Sequence, residues 1–92
     1  MAASRQRARI IYPGGEERHV YPKNLKKFTL EELQSFVGGY IERVQLPRGN
    51  GHAIAYVNED GLSKRLEYNW KASSIYNGSI VGPMVIVSAV KP

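Results

Sequence analysis

Along this chain apolar and polar positions first alternate, then fall into helical spacing, then alternate again, and these changes of period mark the elements. Ile10, Ile11 and Tyr12 form a β-branched and aromatic run that stops at Pro13-Gly14-Gly15. His19, Val20 and Tyr21 follow before Pro22, so the opening predicts two short strands around a tight turn. The stretch 21–27, with Pro22, Asn24 and three lysines, has no period and reads as a surface loop. Leu30, Leu33, Phe36 and Val37 then share one side of a helix. Thr29 with Glu32 three residues on forms a capping box, Phe28 and Leu33 are placed as a hydrophobic staple, and Gly38 stands where a left-handed residue ends a helix. The spacing predicts a helix over Leu30–Val37.

After Gly38-Gly39, residues 40–46 alternate again, with Tyr40, Glu42, Val44 and Leu46 on one face and Ile41, Arg43 and Gln45 on the other. A turn cluster at 47–51 separates them from a second strand over 52–58, which places Ile54 and Tyr56 opposite Ala53, Ala55 and Val57; the pair is predicted to be antiparallel. Asn58-Glu59-Asp60-Gly61 closes it with a turn whose glycine is placed for positive φ. Asn69 is positioned to cap a short helix over 70–74, and Asn77-Gly78 marks another turn. The stretch 80–90 is almost wholly apolar, the pattern of a central strand covered on both faces, with Gly82-Pro83 as its entry bend. No long-period repeat is present, which excludes a solenoid.

These elements predict an α+β fold: a small antiparallel sheet, with mixed pairing left open, against one short main helix. A length of 92 residues suits one core, so residues 10–92 form the expected domain and residues 1–9 a basic flexible arm. The chain carries 13 Lys and Arg against 8 Asp and Glu, but Arg5, Arg7 and Arg9 supply much of the excess; from Ile10 onward the balance is close to neutral. The arm is read first as an aid to solubility and second as a nucleic-acid contact. The absence of cysteine excludes a disulfide scaffold, thiolate metal sites and thiol catalysis, and suits a reducing cytoplasm. The longest apolar stretch, 84–90, is interrupted by Ser88 and too short to cross a bilayer, so a cytoplasmic protein without a membrane partner is expected.

Catalytic chemistry is sparse. His19 and His52 have no ligand partners at metal spacing, Gly38-Gly39 opens a strand rather than the helix a phosphate cradle needs, and no nucleophile stands with a base at motif spacing. No enzyme activity, cofactor or metal is expected. Glu42 falls on the more apolar face of its strand, and a partly buried carboxylate requires a partner: Arg65 across the sheet, or the amine or ribose hydroxyl of a ligand. Tyr68, Trp70 and Tyr76, with Asn69 and Lys71 among them, form the aromatic cluster best suited to stacking on a base or docking a protein.

The run Glu31-x-Leu33-Gln34-x-x-Val37-Gly38-Gly39-Tyr40-Ile41-Glu42, followed by Asn58-Glu59-Asp60-Gly61, Asn69 with Ala72, and Ile80-Val81-Gly82, resembles a phage and plasmid family described as domain of unknown function 3846. The resemblance spans about residues 10–87, departing at 68–78, where this chain has extra polar and aromatic residues. It implies a phage setting, in host cytoplasm, and no reaction. A non-catalytic binder then takes one of two forms: a counter-defence sponge that sequesters a nucleotide signal in a pocket closed by a homo-oligomer, or an inhibitor or adaptor docking a host protein. Weak nucleic-acid binding through the arm comes third. For the nucleotide, Tyr40 or Trp70 would stack, Arg43 or Arg48 would meet phosphates, Glu42 would take a ribose hydroxyl or base amine, and Asn58 and Asn69 would add polar contacts. Self-association is expected because one helix is too small to cover both faces of the terminal strand.

Overall fold

The computed structural model describes residues 5–47 and 54–90. Its elements, in chain order, are β1 (Arg5–Ile11), β2 (Glu17–Val20), α1 (Leu30–Val37), β3 (Ile41–Val44), β4 (Ile54–Asn58), α2 (Trp70–Tyr76) and β5 (Met84–Val90). The five strands form one sheet in the order β2-β1-β5-β4-β3, and every neighbouring pair is antiparallel. β5 is therefore central, as its apolar sequence requires, and bonds to β1 on one side and β4 on the other.

Residues directly opposite each other in the ladders share a face, so the register sorts the side chains into two layers. On one face Ala8, Ile10, Val85 and Val87 pack with Phe28, Leu33 and Val37 of α1 and its entry. On the other, Ile11, Ala55, Val57, Met84 and Ile86 pack with Ala72 of α2 and with Ile80. Ile10, Ile11, Met84 and Val85 are fully buried. Each such side chain contributes roughly 1.5–3 kcal/mol relative to exposure.

α1 has the expected bounds and ends. The Thr29 hydroxyl accepts from the Glu32 amide, the Glu32 carboxylate accepts from the Thr29 amide, and Gly38 takes the left-handed conformation at φ 79° while its N–H donates to Gln34 O. Glu32 is held below the usual carboxylate range by the Thr29 and Lys23 backbone N–H groups. The main helix does not act alone. α2 runs two residues beyond its expected end and covers part of the second face, so residues 84–87 of β5 are buried on both sides within one chain.

The basic arm expected over residues 1–9 is corrected: β1 begins at Arg5 and is paired on both sides. Its arginines occupy alternate positions, which puts their charges on one face while Ala8 and Ile10 enter the core on the other, so polarity did not prevent pairing. Residues 1–4 lie outside the described segments. Gly61 is also corrected. It is not among the glycines with positive φ; an added Cβ there would stand 2.9 Å from Val81 Cγ2 and 3.3 Å from Asn58 O, so close approach excludes a side chain.

Candidate functional site

The residues singled out from the sequence do not converge. Asn58 and Asn69 are buried, but each is spent on the fold. The Asn58 amide donates to Val37 O at 3.1 Å while its Oδ1 accepts from the Asp60 N–H at 2.8 Å. Asn69 caps α2 through Ala72 N–H at 3.0 Å, and its amide donates to Ile11 O and Gly82 O, both at 2.9 Å. Both amide N–H groups of Asn69 are used in this way, whereas Asn58 keeps one N–H and one lone pair beyond these two bonds. Among the described residues no buried side-chain polar atom is without a partner.

Glu42, expected to be partly buried, is exposed, and no ion pair joins it to Arg65 among the described residues. The reason is position: β3 is an edge strand, so Glu42 has a neighbouring strand on one side only and opens onto a cavity beside Val57. Glu42 lies opposite Val57 and Arg43 opposite Tyr56, so the two charged residues point to different faces and do not serve one ligand. Tyr40 is exposed. Trp70, also exposed, lies over Gly15 at the β1–β2 turn, on the sheet edge far from β3. Arg48 and His52 lie outside the described residues. Of the sequence candidates among the described residues, Glu42, Asn58 and Tyr76 line a common cavity of about 240 Å³, with Val81 among its other walls.

A different constellation is built by β1. Arg5, Arg7 and Arg9 fall at alternate positions and so share the face that carries α2. The register sets Arg9 beside His19 of β2 and Ile86 of β5, and Arg7 beside Ser88. Arg7, Arg9, His19, Leu46, Ile86 and Ser88 line a cavity of about 270 Å³ on the part of this face that α2 leaves open. Its lining joins the apolar Leu46 and Ile86 to the donors of Arg7, Arg9, His19 and Ser88, an arrangement that takes an anion without burying an unpaired charge. A second cavity, of about 290 Å³, lies at the start of β1 between Arg5, Tyr21 and Leu25.

One carboxylate, Glu17, tempers this charge. It pairs with both Arg9 and Lys71, and these hydrogen bonds and charges hold its pKa down to about 2. Arg9 is thereby fixed in orientation, whereas Arg5 and Arg7 take part in no ion pair among the described residues. The signal that would have exposed this face in the sequence is Arg-x-Arg-x-Arg running at strand period into Ile10 and Ile11.

Among the described residues no group of three or more His, Asp or Glu converges as a metal set, and no helix is long and apolar enough to cross a membrane. No curated protein and no solved structure matches the chain. A family model does, over residues 7–91, from the strand that bears the arginines to the end of the central strand; the chain thus belongs to the family described as Domain of unknown function (DUF3846).

Proposed function

We propose that this protein is a non-catalytic binding protein that takes a phosphate-bearing ligand on the arginine-lined face of its sheet. The observation that carries the reading is Arg7, exposed and outside any ion pair among the described residues, between Arg5 and Arg9 on the same face and beside Ser88. Guanidinium groups bind phosphate through paired, charge-assisted N–H donors, and a hydroxyl beside them adds a further contact. Retention rather than turnover suits such a site, because Ser88 and His19, the hydroxyl and imidazole that line it, are not hydrogen-bonded to each other among the described residues. In a phage setting this is the chemistry of a sponge for a nucleotide signal in the host cytoplasm. The ligand then sits on β1 rather than on the 38–42 turn and strand. The homo-oligomer proposed to close the pocket loses part of its support, since residues 84–87 of β5 are already buried on both faces by the chain's own elements.

A docking role for a host protein rests on a separate observation: Tyr68 and Trp70 are both more than half exposed on either side of the buried Asn69. Aromatic rings held rigidly beside a cap are suitable anchors for a protein partner.

Calorimetry with inorganic pyrophosphate and a panel of cyclic and ADP-ribose nucleotides tests the main reading. Binding is expected for at least one, weakened about tenfold in Arg7→Ala, the loss of one charge-assisted contact. An absence of binding across the panel, with Trp70→Ala impairing capture of a host protein, overturns it in favour of docking.

A further inference from the structure

Resting on the phosphate-binding reading, we infer that the occupant of the arginine face is an extended single strand of nucleic acid, its successive phosphates laid along Arg5, Arg7 and Arg9. The argument is one of spacing. Alternate residues of a β-strand stand about 7 Å apart, twice the rise per residue. This matches the repeat of phosphates along an extended sugar-phosphate chain. The phosphates of one nucleoside diphosphate are bridged by a single oxygen, far closer than that, so such a ligand occupies one guanidinium or at most two. Only a polymer uses all three.

The surroundings fit the same occupant. β5 runs beside the whole row of arginines, with Ser88 next to Arg7, while β2 pairs only from Ala8 onward and sets His19 next to Arg9. A backbone tracking β1 therefore meets hydrogen-bonding side chains on both flanks. At the Arg5 end, Tyr21 shares a cavity with Arg5 and is 62% exposed, which offers a ring face for an unstacked base. Bases in a duplex are already stacked and do not use such a ring. Glu17 sits at the opposite end, held by Arg9 and Lys71, and marks where the positive track stops. The contacts are to backbone and ring faces, so little base preference is expected.

Fluorescence anisotropy on the intact protein decides the matter, with a labelled oligothymidylate of about 12 nucleotides, within the range one small domain covers, against thymidine diphosphate and a duplex of equal length as competitors. The single strand is expected to bind at least about tenfold more tightly than either competitor. Its log K should fall with log salt at a slope of about −1.4, the value for the two phosphates met by Arg5 and Arg7, which join no ion pair among the described residues. Glu17 already matches the charge of Arg9, whose Nη1 alone is left to the third phosphate. Arg5→Ala and Arg7→Ala should each flatten that slope by about 0.7 and weaken binding, while Lys64→Ala, an exposed charge away from this face, leaves both unchanged. Circular dichroism confirms that each variant is folded. If the diphosphate competes as well as the oligonucleotide and Arg7→Ala weakens both, the strand inference falls and the phosphate reading stands. Preference for the duplex, or a slope unmoved by the arginine variants, also overturns the inference. Binding of neither the oligonucleotide nor any phosphate compound removes both.

Discussion

Lys71 of α2 and Glu17 of β2 form an ion pair that crosses from the helix to the sheet, and Arg9 of β1 closes on the same carboxylate. One acidic residue thus joins three elements at the edge of the open face.

That carboxylate sets an acid limit on stability. The Glu17 pKa is about 2 in the folded chain against an ordinary value of 4.5, and Glu32 is lowered as well. Between those values the unfolded chain binds more protons than the folded one, so the stabilisation is present above about pH 4.5 and is lost as pH falls toward 2. Urea midpoints measured across that window should decline for the native protein and decline less for Glu17→Gln. Equal slopes for the two would show that Glu17 is not coupled to folding.

The same substitution has an opposite expected effect on binding. Glu17→Gln releases Arg9 and removes the one negative charge paired at the face, so phosphate compounds should bind a few-fold more tightly at low salt, with the gain fading as salt rises. Calorimetry at two ionic strengths measures both.

Thr29→Ala removes the oxygen that accepts from the Glu32 amide and should cost about 1 kcal/mol. An unchanged urea midpoint would mean that the cap contributes nothing to the folded state.

Asn69 and Trp70 are neighbours of opposite kind. Asn69→Ala leaves Ile11 O, Gly82 O and Ala72 N–H without their partner in a buried place and should cost roughly 2–4 kcal/mol. Trp70→Ala removes an exposed ring and should cost under about 1 kcal/mol. A reversed order in thermal melts would contradict the division between a residue of the fold and a residue of the surface.

What was legible in the sequence was what is decided locally. The bounds of α1 follow from Thr29, Glu32 and Gly38, all within a few residues, and the chain forms the helix those signals predict. The apolar run of β5 correctly implied a strand buried on both faces, because no other environment accommodates it. The strand order was not legible, since the pairing of β1 with β5 joins distant parts of the chain that carry no local mark of each other. Polar candidates failed for a related reason. Asn58 and Asn69 have the donors and acceptors a ligand site needs, but whether a carbonyl from another element arrives to use them is a property of the fold. Glu42 was misplaced because alternation assigns a face and not whether its strand ends up at the edge of the sheet.

The place of β5 also governs when the molecule is able to fold. The β1–β2 hairpin and the β3–β4 pair each form from neighbouring segments, but in the sheet they are joined only through β5, which follows all of them in the chain. During synthesis two half-sheets must wait, each with an unpaired edge and an uncovered apolar face, until the final strand slots between them. The β1–β5 pairing spans nearly the whole described chain, the kind of long-range contact that slows folding, and it is only through it that the arginines of β1 and the serine of β5 come side by side.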